Sequence, residues 1–222
     1  MSNNSVEGHV EYRYSSSAAS HTSAYLQDRV LALIRAHTEP GSLILDAGCG
    51  NGWFARELAR AGFVVAAIDA SETGIDLART SEEAIEFRSG SIYDDLRQAF
   101  GKPSFDAVVS LEVLEHLYDP RMFLARTYEA LDDDGVLVLS TPYHGYAKNL
   151  VMAISGALDR HFTALWDGGH IKFWSKSTLT KILEEQGFEV VRFAGVGRLP
   201  YLWKSMVIVA RKKSSREIGK AS

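Results

Sequence analysis

Three side chains that could hold a metal ion or move a proton follow one apolar run of the chain. The run spans 105–110, and Glu112, Glu115 and His116 come within six residues of its end. If this segment is helical, Glu112 and His116 lie one turn apart on one face, with Glu115 adjacent to both. Two carboxylates and an imidazole suit a hard or borderline divalent cation. The other interpretation is structural, with His116 as a polar helix cap and Glu112 facing solvent.

A glycine-rich stretch earlier in the chain has the form of a ligand-binding turn. The apolar run 43–45 leads into Asp46 and then into Gly48, Gly50 and Gly52. Glycines allow a sharp turn and let a ligand approach the backbone, and a helical pattern follows. A nicotinamide-binding loop would read G-x-G-x-x-G, but Trp53 stands where its third glycine is expected. The stretch therefore predicts a ligand loop that departs from the nicotinamide pattern.

Two further predicted strands end in residues that could contact the same ligand. Asp69 ends the run 63–68 and lies about 20 residues past the glycine loop, where an acid can accept both ribose hydroxyls. Ser91 and Ile92 follow the short run 85–87. Ligands of open α/β sheets bind outside the carboxyl ends of the strands. We therefore expect these residues to share one site with the glycine loop.

Strands alternate with helical patterns through most of the chain, which predicts a parallel sheet covered on both faces. The predicted strands are 43–45, 63–68, 85–87, 105–110, 136–140, 188–193 and 206–210. The predicted helices are 18–36, 53–60, 72–79, 120–131, parts of 148–158, and a last helix that Ser175 or Ser177 caps and that ends near 186. The last two strands have no helix between them, so they are expected to form an antiparallel hairpin at the end of the sheet.

Composition and charge restrict the function classes. The chain has 222 residues, enough for one large domain with a full core. A net charge of −4 gives no general nucleic-acid footprint. The single cysteine, Cys49, excludes an internal disulfide framework. No apolar run approaches the ~20 residues that cross a bilayer. These features predict a cytoplasmic protein without a membrane span.

The strand-end residues together resemble the class I S-adenosylmethionine-dependent methyltransferases. The matching residues are the stretch 45–52, Asp69, the Gly-Ser-Ile step at 90–92 and the acid-rich segment after the fourth strand. The resemblance covers about 41–210. It implies a Rossmann-like, doubly wound, mostly parallel seven-stranded α/β sheet with an antiparallel last strand.

The resemblance also implies a cofactor, S-adenosylmethionine, and the residues that contact it. In that family the glycine loop contacts the amino-acid part of the cofactor, the acid of the second strand binds the ribose, and the residues after the third strand flank the adenine. The implied cofactor site consists of Asp46, Gly48, Cys49, Gly50, Asp69, Ala70, Ser91, Ile92 and Leu111. Many members have an aspartate that bonds the adenine amino group where this chain has Ser91, so this contact departs from the family pattern.

A finer likeness lies in the E-x-x-E-H segment and in a later H-x-K-F-x-[ST] segment. Both are similar to ubiquinone-biosynthesis O-methyltransferases and to small-RNA 3′-terminal 2′-O-methyltransferases, and in the latter two glutamates and two histidines hold magnesium. The matching residues here are Glu112, Glu115, His116 and His170. The likeness implies Mg²⁺ or another divalent cation, which would lower the pKa of a ligating hydroxyl. A metal-free site with His116 or His170 as the base, and a purely structural role, stay open.

The connection 141–175 is long and rich in aromatic residues, which predicts a substrate lid. His144 follows the fifth strand and is a candidate base or substrate contact, with a role in loop packing as the alternative. The predicted organisation is an N-terminal cap or lid with the first helix over 1–40, a methyltransferase domain over 41–210, and a frayed basic tail over 211–222.

The sequence thus predicts O-methylation of a small hydroxylated acceptor with S-adenosylmethionine as methyl donor. Metal chelation would favour acceptors with two neighbouring oxygens, such as a catechol or a vicinal diol. The alternatives are an RNA 2′-O-methyltransferase and a non-catalytic, cofactor-binding regulatory protein. The lack of a basic surplus argues against a nucleic-acid partner and favours a small-molecule acceptor.

Overall fold

The computed structural model describes residues 14, 16, 21–80, 84–162, 164–166 and 168–213, without the side chains of 21–24 and 160. Most of the predicted N-terminal segment before the first helix lies outside the described residues. The predicted basic tail lies outside them from 214 onward.

A single twisted sheet of seven strands runs through the described part of the chain, in the order β3-β2-β1-β4-β5-β7-β6. The strands are β1 (Leu43–Ala47), β2 (Val64–Asp69), β3 (Glu86–Ser89), β4 (Phe105–Leu111), β5 (Leu131–Pro142), β6 (Phe188–Val196) and β7 (Ser205–Lys212). The first five pair in parallel, whereas β7 lies antiparallel between β5 and β6. This confirms the predicted doubly wound sheet with an antiparallel last strand.

Helices cover both faces of the sheet. They are α1 (His21–Arg35), α2 (Trp53–Arg60), α3 (Glu72–Ala78), α4 (Leu96–Phe100), α5 (Pro120–Ala130), α6 (Tyr146–Ile154), α7 (Leu158–Phe162) and α8 (Lys176–Glu185). The Ser71 side chain caps α3 by accepting from the Gly74 amide, and Ser175 caps α8 in a capping box with Thr178. Asp119 caps α5, whose first residue is Pro120. These helix starts agree with the predicted ones.

Side chains alternate across the strands and build a separate core on each face of the sheet. On β1, Ile44 packs into the core beneath α1, α2 and α3, whereas Leu45 packs into the core beneath α4, α5 and α8. Both side chains are fully buried. Burial of such a side chain contributes about 1.5–3 kcal/mol, so the two cores fix the strand ends that carry the site.

Several predicted boundaries were wrong. Helix α4 was not predicted; Asp95 begins it by accepting from the amides of Arg97 and Gln98. Strand β5 begins at Leu131 instead of 136, because Leu131 already pairs with Phe105 of β4. The last strand continues to Lys212 rather than ending at 210. No described helix is long and apolar enough to span a bilayer.

Candidate active site

The glycine loop forms between the carboxyl ends of β1 and β2. The amides of Gly48 and Cys49 donate to the Ile68 carbonyl oxygen, at 2.8 and 3.1 Å, and so tie the loop to β2. Gly48 has φ 84° and Gly50 has φ 54°, which is the left-handed region that disfavours other residues. A Cβ on Gly48 would also lie 2.5 Å from the Val113 side chain. The loop is therefore a close-fitting backbone surface that only glycine can form here.

Asp69 lies where the sequence predicts, at the end of β2 beside the glycine loop. One carboxylate oxygen accepts from the Gly50 amide at 2.8 Å and the other from the Ser71 amide at 2.8 Å. Burial raises the pKa of Asp69, and these two hydrogen bonds oppose that shift. Each carboxylate oxygen can accept a second hydrogen bond, so Asp69 can hold the loop and still bind ribose hydroxyls.

Asp46 is buried within the same end of the sheet, at 2% exposure. Its Oδ2 has no hydrogen-bond partner among the described residues. Burial, followed by the negative charge of Asp69, raises the pKa of Asp46 to about 7. A buried carboxylate oxygen without a partner is a place where a bound ligand would supply the missing contact.

The remaining predicted cofactor residues line the neighbouring strand ends. Ala70 is exposed, and Ser91, Ile92 and Leu111 are half-buried at the ends of their strands. The Ser91 hydroxyl accepts from the Tyr93 amide at 3.1 Å. Cys49 is buried, and burial raises the pKa of its thiol far above the ordinary value, so it behaves as a packing residue.

Two described residues before the first helix lie over the glycine loop. The Tyr14 ring would meet any Cβ placed on Gly50, and the Tyr14 amide donates to Thr73 Oγ1 at 3.4 Å. Asn51 Nδ2 donates to the Ser16 carbonyl oxygen at 2.8 Å. Tyr14 and Ser16 therefore lie where a lid over the glycine loop would have to lie.

A second site lies beyond the end of β4, where the structure brings Glu115, His116 and His170 together. One potential ligand atom from each residue lies within 4.8 Å of the others. Glu115 is 1% exposed, and neither of its carboxylate oxygens has a hydrogen-bond partner in the part of the chain that the structure describes. One of these oxygens lies 4.0 Å from His170 Nε2.

Backbone contacts bring His170 to this site from a distant part of the sequence. The amides of Ile171 and Lys172 both donate to the Glu115 carbonyl oxygen, at 2.9 and 3.0 Å. His116 Nδ1 lies 2.9 Å from the Gly168 carbonyl oxygen. A carbonyl can only accept, so Nδ1 carries a proton, and the neutral tautomer set by this contact has its lone pair on Nε2. This is the arrangement by which proteins orient a histidine toward a metal ion.

The electrostatics of this cluster fit a cation. Burial, and then the negative charge of Glu112, raises the pKa of Glu115 well above its ordinary value, and the nearby Thr141 hydroxyl, which is too poorly placed for a normal hydrogen bond, opposes this weakly. Burial lowers the pKa of His170 to about 4, so its imidazole is neutral at pH 7. A divalent cation would compensate the buried carboxylate and use the imidazole lone pairs, so this donor set fits a borderline cation.

Glu112 is not among the three residues that lie together, and the predicted four-residue metal set stays a prediction. It has φ 55°, and only Leu114–His116 forms a single 3₁₀ turn; the expected helical face does not exist. The Glu112 carboxylate instead accepts from Ser140 Oγ at 2.8 Å and from Ser205 Oγ at 3.3 Å. Burial raises its pKa to about 7. These hydroxyls, from β5 and β7, hold the carboxylate in place, and its charge still acts on Glu115.

His144 lies under the predicted lid at the end of β5. It is 6% exposed, and its Nε2 has no hydrogen-bond partner among the residues described. Its ring centroid lies 5.1 Å from that of His161 and 5.0 Å from that of Phe173. Burial, then the charge of Lys148, lowers the pKa of His144 to about 4. His144 is therefore a neutral imidazole, and its Nε2 has no partner in the described part of the chain that would compete with a bound methyl acceptor.

Three residues at the site carried no signal in the sequence. Lys148 of α6 is buried beside a cavity of about 450 Å³. Arg198, from the connection between β6 and β7, lines the same cavity. The Tyr25 hydroxyl of α1 lies 2.7 Å from Ser205 Oγ, and burial raises its pKa to about 12. In a sequence, a charged residue on a helix is usually taken to be exposed to solvent. The burial of Lys148 depends on distant segments that pack against α6, so the local sequence does not reveal it.

The family model and two curated relatives that match this chain are all methyltransferases. A family model described as a methyltransferase domain matches residues 18–192. The chain is 35% identical over 164 residues to the ubiquinone biosynthesis O-methyltransferase of Dinoroseobacter shibae, covering 70% of this chain and 63% of that enzyme. It is 30% identical over 194 residues to the mitochondrial ubiquinone biosynthesis O-methyltransferase of Bos taurus, covering 80% of this chain and 50% of that enzyme. The chain thus spans one half to about two thirds of these relatives.

A solved structure shares the fold. The magnesium protoporphyrin IX methyltransferase of Synechocystis, crystallised with bound SAH, matches with a TM-score of 0.65 at 23% identity. The match covers 84% of this chain and 81% of that enzyme. This likeness shows that the two proteins share the fold.

Proposed function

The chain belongs to the class I S-adenosylmethionine-dependent methyltransferases, and on that premise we propose that it transfers a methyl group to a hydroxyl oxygen of a small acceptor. The observation that carries the proposal is the position of two half-sites at one edge of the sheet. The glycine loop, fixed by Asp69, ends β1, and the cluster of Glu115, His116 and His170 follows β4, the strand paired with β1.

The first half-site suits S-adenosylmethionine, which when bound supplies an electrophilic methyl group on a sulfonium. Gly48 and Gly50 have no side chains of their own, so the amino-acid part of this molecule would contact their backbone next to the Val113 and Tyr14 side chains. Asp69 has capacity left for the ribose hydroxyls, and Oδ2 of the buried Asp46 has no hydrogen-bond partner among the described residues. Ser91 and Ile92 stand at the next strand end, where the adenine would lie.

In the second half-site, Glu115, His116 and His170 would hold a divalent cation. When bound, such an ion lowers the pKa of a coordinated hydroxyl and fixes its oxygen toward the methyl group. The chain's own contribution is orientation: the Gly168 carbonyl sets the His116 tautomer, and the backbone bonds from 171 and 172 position the turn that carries Glu115. Proximity and alignment supply much of the remaining acceleration.

The basicity of the histidines favours this arrangement over a metal-free site. A general base works best with a pKa near the operating pH. Burial lowers the pKa of both His144 and His170 to about 4, which makes each imidazole a weak base at pH 7. Neither of these two histidines is therefore well suited as the base, and the unpartnered Glu115 carboxylate supports a cation that acidifies the acceptor hydroxyl.

The surroundings of His144 favour an aromatic acceptor. The rings of Phe162 and Phe173 lie 4.9 Å apart next to His144 and form part of the predicted lid. Aromatic rings prefer offset or edge-to-face contacts with a flat substrate. A catechol satisfies both the ring contacts and the preference of a chelated cation for two neighbouring oxygens.

The proposal is tested by transfer of a labelled methyl group from S-adenosylmethionine to a panel of 4-methylcatechol, 4-methylphenol, 4-methylaniline and a short RNA. We expect O-methylated 4-methylcatechol, identified by mass spectrometry, and little product from the phenol. Products on nitrogen or on RNA only, or cofactor binding without any transfer, would overturn the proposal.

A further inference from the structure

The cavity beside the proposed transfer site combines apolar walls with two cations. Its volume is about 450 Å³, and it is lined by Lys148, Val151, Met152, Arg198, Leu199 and Leu202. Helix α6 provides the first three of these residues, and the connection between β6 and β7 provides the others. None of these lining residues is acidic. The cavity thus has an unbalanced positive charge within an apolar surface.

Lys148 has less compensation than a buried ammonium requires. It is 4% exposed, and its Nζ donates to the Lys204 carbonyl oxygen at 3.3 Å. An ammonium has three donors, and a carbonyl does not neutralise its charge. No ion pair of Lys148 with a carboxylate occurs within 4.0 Å in the described residues.

Neighbouring charges leave the cavity cationic. Burial, and then the charge of Arg198, lowers the pKa of Lys148 to about 8, and the charge of Glu112 opposes this less strongly. Glu112 already accepts hydrogen bonds from Ser140 and Ser205. The positive charges of Lys148 and Arg198 therefore act together, and an anion between them would relieve both.

We propose that this cavity binds an acidic group of the methyl acceptor, between Lys148 and Arg198, with an apolar part of the acceptor against Val151, Met152 and Leu202. The acceptor is then an apolar organic acid that carries the hydroxyl to be methylated. This inference rests on the proposed function, because it gives the substrate class of the same site.

The cavity is placed to serve the transfer site. Lys148 Nζ and the Tyr143 amide donate to the same Lys204 carbonyl oxygen, at 3.3 and 3.0 Å, and Tyr143 directly precedes His144, so the cation lies close to that histidine. Val151 is 51% exposed and Leu199 is 71% exposed, so the cavity opens to the surface. An acceptor can enter from there with its acidic group at Lys148 and its hydroxyl toward the histidines.

Binding tests the cavity independently of catalysis. Calorimetry on the full chain, with S-adenosylhomocysteine present, compares 3-phenylpropionate with the equally sized 3-phenylpropanol. We expect the acid to bind at least about tenfold more tightly, and Lys148→Met and Arg198→Gln each to remove most of this difference. Lys181→Met, on the exposed face of α8, is the matched control and should behave as wild type.

Equal binding of acid and alcohol, undetectable binding of the acid, or an unchanged preference in Arg198→Gln would each overturn the inference. Arg198 is exposed, so its substitution tests the cavity even if Lys148→Met fails to fold.

A transfer assay separates this inference from the proposed function. It compares 3-(3,4-dihydroxyphenyl)propionate with its methyl ester as acceptors. We expect kcat/KM to favour the acid by about tenfold, with the preference lost in Arg198→Gln. Equal kcat/KM values would contradict the inference and leave the proposed function intact. Absence of transfer to either compound would count against the proposed function, and the calorimetric result would still decide on the cavity.

Discussion

Glu115 Oε1 lies 4.0 Å from His170 Nε2, in a buried position where the carboxylate has no hydrogen-bond partner among the described residues. A buried carboxyl without partners costs free energy in the folded state. A functional site can carry such a cost when a ligand compensates it. We therefore expect the Glu115 carboxylate to lower the stability of the free protein and to be required for its proposed activity.

Substitution Glu115→Met should separate stability from activity. Methionine has a similar size and no polar group, so in the presence of a chelator we expect the free energy of unfolding in urea to rise by about 1–3 kcal/mol. Methyl transfer should fall by about 100-fold or more because the carboxylate ligand is lost. Glu184→Met, at an exposed position of α8, is the control. Lower stability together with unchanged transfer would contradict the interpretation of Glu115.

Substitution Asp69→Asn should weaken cofactor binding. The amide has one accepting oxygen, so one of the amides of Gly50 and Ser71 loses its acceptor. We expect the Kd for S-adenosylhomocysteine, measured by calorimetry, to rise by about tenfold to a hundredfold. Asp76→Asn, at an exposed acid of α3, should leave the Kd unchanged. Equal Kd values for Asp69→Asn and wild type would exclude Asp69 from the cofactor site.

Two glycines with similar backbone angles give a matched test of the loop. Gly50 has φ 54° and Gly101 has φ 60°. A Cβ added at Gly50 would meet the Tyr14 side chain, whereas nothing lies within 4 Å of a Cβ added at Gly101. Gly101→Ala should cost about 1 kcal/mol of strain and leave cofactor binding intact. Gly50→Ala should lower the temperature of unfolding more than Gly101→Ala does, and it should also weaken binding of the cofactor. The same loss of affinity in both variants would mean that the contact with Tyr14 is irrelevant.

Asp46 predicts a pH dependence of stability with a definite sign. Its pKa rises from 3.8 in the unfolded chain to about 7 in the folded protein, so the protonated form is the one that folding favours. Its contribution is therefore present below pH 4 and is lost as the pH rises to about 7. Relative to Asp46→Asn, wild type should lose up to about 1.4 kcal/mol per pH unit in this window.

Urea unfolding of wild type and Asp46→Asn, at intervals from pH 4.5 to 8, measures this difference and cancels the groups that titrate independently of Asp46. A free energy of unfolding of wild type, relative to that of Asp46→Asn, that stays constant or increases as the pH rises would contradict the assigned pKa.

Local signals in the sequence predicted much of the fold and of the cofactor loop. Helix α2 has the predicted bounds, because Gly52 precedes it and Gly62 follows it. Ser71 and Ser175 cap their helices as predicted, since a hydroxyl before an amphipathic run satisfies free backbone amides. The glycine loop joins Asp69 because the ends of adjacent parallel strands meet at one edge.

The missed features depend on contacts between distant parts of the chain. The Ser140 and Ser205 hydroxyls, on β5 and β7, hold the Glu112 carboxylate. The short segment around Glu112, interpreted as helical, contains no sign of these distant contacts. The cavity exists because β7 enters the sheet between β5 and β6, which brings Arg198 next to Lys148. Neither side chain has a local pattern that separates it from a solvated surface residue.

The most direct measurement is methyl transfer to 4-methylcatechol by wild type that has been stripped with a chelator, with Mg²⁺, Mn²⁺ or Zn²⁺ then returned. We predict that stripping lowers transfer by about 100-fold or more while S-adenosylhomocysteine still binds, and that one of these cations restores activity to wild type and not to Glu115→Met. Full transfer by the stripped protein would contradict the proposed role of Glu115, His116 and His170.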